Sequence, residues 1–151
     1  MNVLFVCHGN ICRSPMGEFI LKALVKAKGC EAQYYIESAA VSAEETGNPI
    51  YPPARRCLSQ HGVWFDPAKT ARQVTPSDYQ RFDHIICMDA SNLRLMRRII
   101  PQDPEGKIHL MMSYAGSSRD VADPWYTGDF ETTFQDVLEG CEAFLKTYNP
   151  R

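Results

Sequence analysis

The chain of 151 residues is about the length of one domain, and its composition of 44% hydrophobic and 23% charged residues excludes collagen, coiled coil and extended disorder. The net charge of −2 indicates neither a nucleic-acid nor a membrane partner. The apolar run before Cys7 is too short for a signal sequence or a membrane span. These features favour a cytoplasmic protein whose six cysteines are reduced thiols rather than a disulfide framework.

Predicted strands and helices alternate along the chain. Residues 2–7 form a short apolar run typical of a strand buried on both faces, and Ser14 and Pro15 are predicted to cap and open a helix after it. Further strands are predicted at residues 34–38, 84–88 and 107–112, and further helices at residues 54–61, 76–82, 91–100 and 130–148. This order predicts an α/β fold: a single three-layer domain over residues 1–151, with a four-stranded, mostly parallel sheet and helices on both faces.

A short loop, residues 7–14, joins the first strand to the first helix. Ligands bind at the carboxyl ends of parallel strands, and a helix N-terminus offers free N–H groups to anions. Gly9 and Asn10 tolerate the positive φ that a tight anion-binding loop needs. Arg13 can hold two oxygens of a tetrahedral dianion. Cys7 would face the helix dipole and the guanidinium, which favour a thiolate, and the Ser14 hydroxyl can donate a hydrogen bond to that thiolate. The pattern Cys-x5-Arg-Ser therefore predicts a phosphate-binding loop with a sulfur nucleophile.

Cleavage of a phosphate ester also needs an acid that protonates the leaving oxygen. Asp123 lies in the loop after the predicted fourth strand, at the carboxyl edge of the sheet, and Pro124 follows it. The next two residues, Trp125 and Tyr126, would wall a pocket for an aryl group. Three other aspartates are less favourably placed. Asp66 lies in an ambiguous loop, Asp89 is typical of a turn or cap residue, and Asp103 lies at the opposite edge of the sheet.

These motifs resemble those of the low molecular weight protein tyrosine phosphatases. The resemblance rests on residues 6–15 (VCHGNICRSP) and residues 123–126 (DPWY), and shorter matches between them extend it over nearly the whole chain. It implies that Cys7 attacks phosphorus and forms a phosphocysteine, and that Asp123 protonates the leaving oxygen and then activates water. It also implies that the phosphoryl oxygens are bound by the residues of the loop: His8, Gly9, Asn10, Ile11, Cys12 and Arg13.

The resemblance implies supporting roles for further residues. Ser14 would assist the thiolate, and Asn10 would hold the loop in a strained shape with Ser38 as its partner. Cys12 would form a reversible disulfide with Cys7 under oxidation. Phosphate-like oxyanions would inhibit the enzyme, and neither a metal nor another cofactor would be needed. The four histidines give no indication of a metal site, because none is recognised at the sequence spacing from a cysteine or a carboxylate that is typical of metal ligands.

The chain departs from the family pattern at the wall of the site. Glu44 stands where many members carry an aromatic residue, and an acid there would repel acidic peptide substrates. Lys69 stands in a segment where members often have a histidine. The resemblance also implies that Ile11, at this position of the loop, favours phosphotyrosine over phosphoarginine as the substrate. The alternatives are an arsenate reductase of the same fold, a phosphocysteine carrier and a phospho-binding module without catalysis.

Overall fold

The computed structural model describes residues 1–148. The elements follow in chain order: β1 (Asn2–Cys7), α1 (Arg13–Ala27), β2 (Tyr35–Ala40), α2 (Pro52–Gln60), α3 (Asp78–Arg81), β3 (His84–Cys87), α4 (Ala90–Met96), β4 (Ile108–Leu110), α5 (Pro124–Thr127) and α6 (Phe130–Tyr148). Short 3-10 turns at Glu31–Gln33 and Met111–Ala115 precede β2 and follow β4.

The four strands form one sheet in the order β2-β1-β3-β4, and every pair is parallel. The predicted four-stranded α/β fold is therefore confirmed, with a sheet that is parallel throughout. The apolar sequence of β1 follows from its central place, since a strand covered on both faces has no solvent side to fill with polar residues. The single domain predicted over residues 1–151 stays a prediction, and residues 149–151 lie outside the described part of the chain.

Successive side chains of β1 point to opposite faces of the sheet and enter two different cores. Val3 and Phe5 pack with α1, α2 and α6 on one face, while Leu4 and Val6 pack with α3 and α4 on the other. Gly17 brings α1 close to the sheet, because a Cβ at this position would lie 2.7 Å from the Phe5 ring. The helices on both faces confirm the predicted three layers.

Helices α1 and α4, which carry site residues, begin differently from the predictions. Helix α1 begins at Arg13, so Ser14 lies inside its first turn, where its hydroxyl is taken by contacts within the 7–14 loop and caps nothing. Helix α4 begins at Ala90, one residue before the predicted start, with Asp89 as its cap: the Asp89 carboxylate accepts from the Asn92 amide at 2.7 Å, and Asn92 Oδ1 accepts from the Asp89 amide at 3.2 Å. This reciprocal pair satisfies two amides at once, which favours the start at Asp89.

Candidate active site

The thiol of Cys7 lies at the carboxyl end of β1, with only 3% of the residue exposed. The hydroxyl oxygen of Ser14 lies 3.1 Å from Sγ, and the amides of Asn10 and Ser14 donate to Sγ at 3.3 and 3.4 Å. Hydrogen bonds from neutral donors to a sulfur are strongest when the sulfur is charged, so this cluster favours the thiolate. The predicted setting of Cys7, between the loop amides and the first turn of α1, is what the structure shows.

Asn10 holds the 7–14 loop in place from inside. It is buried and has a φ of 60°, in the left-handed region that an L residue other than Gly rarely adopts. Its Nδ2 donates to Ser14 Oγ at 2.7 Å, and its Oδ1 accepts from the Arg72 amide at 3.2 Å. Because Ser14 Oγ accepts from Asn10, the Ser14 hydroxyl proton is left for Cys7 Sγ or for the Ala39 carbonyl at 3.3 Å.

Arg13 is buried beside two carboxylates. Its Nη1 donates to Asp89 Oδ2 at 2.6 Å and to the Val121 carbonyl at 2.8 Å, and its Nη2 donates to Asp123 Oδ2 at 3.4 Å. Burial by itself would lower the pKa of Arg13, but Cys7, the hydrogen bond to Asp89 and the charge of Asp123 raise that pKa above its ordinary value. The guanidinium is therefore a fixed positive charge in the cleft that Cys7 also lines.

Asp89 has a role that the sequence analysis did not assign to it. It caps α4 as expected for a turn residue, and it also anchors Arg13, which is 76 residues earlier in the chain. The available signal was its position: β3 lies next to β1, so a carboxylate directly after β3 reaches the end of β1. Asp89 is thus a site residue as well as a cap.

The backbone N–H groups of Ile11, Cys12 and Arg13 have no protein acceptor within residues 1–148. Orphan amides at the start of a helix attract anions, so these groups are chemically suited to bind an oxyanion. The cleft around them has a volume of about 250 Å³. It is lined by Cys7, His8, Gly9, Ile11, Cys12, Arg13, Glu44, Glu45, Asp123, Trp125 and Tyr126.

Aromatic side chains form one wall of the cleft. Trp125 is half exposed and packs on Tyr51 with ring centroids 4.8 Å apart, and Tyr51 in turn packs on Phe130 at 6.1 Å. Tyr126 is 85% exposed and also lines the cleft. Trp125 and Tyr126 lie at the cleft as predicted, whereas the support from Tyr51 was missed, because its only sequence signal was an aromatic residue just before a predicted helix.

Asp123 joins this wall to Arg13. Its Oδ1 accepts from the Trp125 amide at 3.0 Å and caps α5, which leaves Oδ2 directed at Arg13. The Asp123 side chain is 26% exposed, so it is open to the cleft. Among the other aspartates considered, Asp103 accepts from the Tyr79 hydroxyl and Asp66 caps a turn at the Ala68 amide, and neither lines the cleft.

Acidic side chains form the facing rim. Glu44 Oε2 lies 3.2 Å from His8 Nε2, and Glu45 lies beside Gly9. Glu44 is largely exposed, so its charge faces solvent and approaching ligands. The structure therefore places Glu44 at the predicted wall, and it adds Glu45, a second acid that the sequence analysis did not single out.

The expected contact between Ser38 and Asn10 is wrong. The Ser38 hydroxyl donates to Glu18 Oε1 at 2.6 Å, and the Ser38 carbonyl accepts from Lys69 Nζ at 2.9 Å. Asn10 has no need of Ser38, because both ends of its side-chain amide already have partners. Burial lowers the pKa of Lys69, although the nearby Glu18 carboxylate at 3.6 Å opposes that shift. Ser38 thus supports β2 and α1 behind the loop and does not touch it.

All six cysteines are buried and carry free thiols. Burial, and next to it the charge of Cys7, raises the pKa of Cys12 well above the ordinary value, and burial raises the pKa of Cys87 to about 12. These two thiols therefore stay protonated near neutral pH. Within residues 1–148, each helix is too short or too polar to cross a bilayer.

Comparison with known proteins places the chain among phosphatases. Residues 2–150 match the family described as low molecular weight phosphotyrosine protein phosphatase. The protein of that name from Gallus gallus is 42% identical over 150 residues, which cover 96% of this chain and 94% of that protein.

Solved structures agree. The crystal structure of YfkJ from Bacillus subtilis superposes with a TM-score of 0.93 at 39% identity and covers 99% of this chain and 95% of YfkJ. The crystal structure of DARP, a Drosophila arginine phosphatase, has a TM-score of 0.88 at 34% identity, over 99% of this chain and 98% of DARP. The chain belongs to the low molecular weight phosphotyrosine protein phosphatase family, and the predicted family and enzyme class, protein-tyrosine phosphatase, are confirmed.

Proposed function

We propose that this protein hydrolyses phosphotyrosine and small aryl phosphates through a phosphocysteine intermediate, with no metal ion in the reaction. The observation that carries the proposal is the arrangement around one sulfur. Cys7 Sγ has three hydrogen-bond contacts at 3.1 to 3.4 Å, and the same cleft is lined by buried Arg13, which reaches the carboxylate of Asp123. A nucleophile, an anion-binding charge and an acid are thus within one cleft.

In the first step, the Cys7 thiolate attacks phosphorus and forms a sulfur–phosphorus bond. The bond from phosphorus to the phenolic oxygen breaks, and that oxygen takes a proton from the Asp123 carboxyl. Arg13 and the loop amides stabilise the charge on the three remaining phosphoryl oxygens, which is the role that metal ions play in other phosphoryl-transfer enzymes. The amides available for this belong to His8, Gly9, Ile11, Cys12 and Arg13, while the Asn10 amide donates to Cys7 Sγ.

In the second step, the Asp123 carboxylate takes a proton from water as the water oxygen attacks phosphorus. The sulfur–phosphorus bond breaks, phosphate leaves, and Cys7 departs as a thiolate. Ser14 and the amide of Asn10 stabilise that thiolate as leaving group, as they do in the free enzyme. Phosphate and other oxyanions of its shape are therefore expected to inhibit by occupying the same loop.

The walls of the cleft support an aryl substrate. Trp125 and Tyr126 offer aromatic faces for a phenyl ring, while Glu44 and Glu45 give the opposite rim a negative charge. Phosphopeptides with basic residues near the phosphotyrosine fit this rim better than acidic ones, because like charges across an interface are unfavourable.

Cys12 fits the role of a redox guard for Cys7. Both thiols belong to the same loop and line the same cleft, and Cys12 is 5% exposed. Under oxidation, a sulfenic acid on Cys7 would condense with the Cys12 thiol to a disulfide and release water, which prevents irreversible oxidation of Cys7. The free thiols and this chemistry support a cytoplasmic location, where disulfides are kept reduced.

Phosphoarginine is a second candidate substrate, since a structural neighbour is an arginine phosphatase. Ile11 lines the cleft with its side chain and favours the flat phenyl ring of phosphotyrosine over the polar guanidinium of phosphoarginine. Arsenate reduction and phosphoryl carriage or binding without hydrolysis are not favoured, because the family matched is one of phosphatases and the cleft holds an acid beside the nucleophile.

The deciding experiment is an aryl-phosphate assay in the presence of a chelator. We expect full turnover of the wild-type protein, no turnover of Cys7→Ser, and radioactive phosphate trapped on sulfur when the wild type is quenched in acid during turnover. Phosphotyrosine and phosphoarginine peptides are compared in parallel, and vanadate is tested as an inhibitor. Persistent turnover of Cys7→Ser would falsify the mechanism, and a preference for phosphoarginine would overturn the substrate.

A further inference from the structure

Three metal-ligating side chains meet on the side of α2 and α6, away from the candidate active site. Cys57 Sγ, His61 Nε2 and a carboxylate oxygen of Glu131 all lie within 4.8 Å of one another. Cys57, His61 and Glu131 are absent from the lining of the catalytic cleft. The cluster corrects the expectation that no histidine has ligand spacing: Cys57 and His61 are four residues apart.

Helix geometry explains the first pair. Cys57 lies in the last turns of α2, and His61 directly follows the helix with φ −92° and ψ 6°. Side chains four residues apart lie on one face of a helix, so Sγ and the imidazole point the same way. Glu131 is the second residue of α6, and packing of α6 against α2 brings its carboxylate onto that face.

Neighbouring side chains fix the orientation of the donors. The His61 ring stacks on Phe134, with centroids 3.8 Å apart and planes at 9°, and Nε2 faces both oxygens of Glu131 at 2.8 and 3.1 Å. Gln135 Nε2 donates to Glu131 Oε2 at 2.8 Å. Hydrogen bonds to a ligating carboxylate and packing on a ligating imidazole are the support that metal sites in proteins use.

We propose that Cys57, His61 and Glu131 bind a divalent transition metal of the Zn²⁺ class. A thiolate, an imidazole and a carboxylate form a borderline-soft set that suits Zn²⁺ and Co²⁺ and not Mg²⁺ or Ca²⁺. Three protein ligands leave one tetrahedral position for water. One thiolate and one carboxylate balance the charge of the ion, so a partly buried site stays neutral.

Binding replaces a proton at Cys57. The Cys57 thiol donates a long hydrogen bond of 3.6 Å to the Phe130 carbonyl, and its Sγ lies within 4.8 Å of the donor atoms of His61 and Glu131. When the ion binds, the Sγ–H bond breaks, the proton passes to solvent and the sulfur–metal bond forms. His61 coordinates through Nε2 as the neutral ring, with its proton on Nδ1, and Glu131 coordinates through its carboxylate.

The bound ion would link α2 to α6 beneath the aromatic wall of the cleft. Tyr51 directly precedes α2, Phe130 begins α6, and these two residues support Trp125. An ion that binds the folded protein and not the unfolded chain stabilises the fold by mass action. Zn²⁺ is therefore expected to raise the melting temperature.

The test uses full-length protein freed of metal with a chelator and then titrated with Co²⁺. We expect one equivalent to bind, with a thiolate-to-cobalt charge-transfer band in the near ultraviolet that Zn²⁺ removes. In His61→Ala and Glu131→Gln, which change side chains that are 30% and 57% exposed, Co²⁺ affinity should fall roughly tenfold or more. Glu142→Gln, an equal charge change at an exposed site of α6, should bind as the wild type does.

The variant Cys7→Ser distinguishes cobalt binding at Cys57 from cobalt binding at the Cys7 thiol of the candidate active site. We expect Cys7→Ser to keep the thiolate-to-cobalt band. Zn²⁺ should raise the melting temperature of wild type and Cys7→Ser but not of His61→Ala. Loss of the band in Cys7→Ser, undiminished affinity in His61→Ala and Glu131→Gln, or absence of any thiolate-to-cobalt band would overturn the proposal.

Discussion

Replacing Asp123 by Asn tests the assignment of the acid with little disturbance of the structure. Asp123 Oδ1 caps α5 through the Trp125 amide, and an Asn oxygen keeps that bond, whereas Ala would lose about 1 kcal/mol of capping. The other oxygen, Oδ2, accepts only a long hydrogen bond of 3.4 Å from Arg13, so the proposed mechanism assigns the transferred proton to Oδ2. Asp123→Asn thus removes the proton and leaves the cap.

A positioned acid contributes roughly 10²- to 10⁴-fold to such a reaction. At 1.36 kcal/mol per factor of ten, this corresponds to about 2.7 to 5.4 kcal/mol of transition-state stabilisation. We expect kcat of Asp123→Asn on phenyl phosphate to fall within that range. The fall should be smaller on p-nitrophenyl phosphate, whose leaving oxygen needs less help from an acid.

The assay measures kcat and KM on both esters, with inorganic phosphate as competitive inhibitor. The phosphate inhibition constant of Asp123→Asn should stay close to that of the wild type, because Arg13 and the loop amides bind the anion. Asp89→Asn is the matched control: it keeps the α4 cap but releases Arg13, so its phosphate inhibition constant should rise. A kcat on phenyl phosphate within threefold of wild type for Asp123→Asn, with a hundredfold fall for Asp89→Asn, would refute the assignment.

Three further predictions follow from single contacts. Asn10→Gly should lower the free energy of unfolding by about 1 to 3 kcal/mol, because buried hydrogen bonds are lost. Asn10→Ala should lower it by about 1 kcal/mol more, because alanine is strained at the positive φ of this position. Equal free energies of unfolding for the two variants in urea would contradict the strain. Glu44→Gln should raise kcat/KM severalfold for acidic phosphotyrosine peptides and leave phenyl phosphate unchanged, and the effect should fade at high salt; the same gain for basic peptides would exclude a charge effect. Burial alone would raise the pKa of Asp103, but hydrogen bonds from Tyr79 and from the amides of Ile108 and Lys107 lower that pKa. The stability that the Asp103 carboxylate contributes is therefore present near neutral pH and is lost as pH falls through the pKa of the folded state. The stability difference between wild type and Asp103→Asn should therefore shrink in acid, and a difference that is constant with pH would disprove the linkage.

Local sequence determined the architecture around the sulfur. The 7–14 loop connects a buried strand directly to a helix, so its eight residues are constrained by neighbours a few positions away. Cys7 contacts Asn10 and Ser14, and Asn10 contacts Ser14, all within seven residues of chain. For this reason, the spacing of Cys, Asn, Arg and Ser was enough to predict the loop and the setting of the thiol.

Partners distant in the chain were decided by packing alone. Arg13 meets Asp89 and Asp123, which are 76 and 110 residues away, only because β3 lies beside β1 and the loop before α5 returns to the same edge. Asp123 could be proposed as a site residue because the carboxyl edge of a parallel sheet is predictable from the sequence. For Asp89, the sequence supported a role as a helix cap equally well.

The cysteines show the same division. The sequence by itself distinguished Cys7, since its motif is continuous in the chain. It left Cys57 without chemistry, because Glu131 joins Cys57 and His61 through the contact between α2 and α6, 70 residues later. Which side chains of two helices meet depends on how the helices pack against each other, and the local sequence of either helix does not determine that packing.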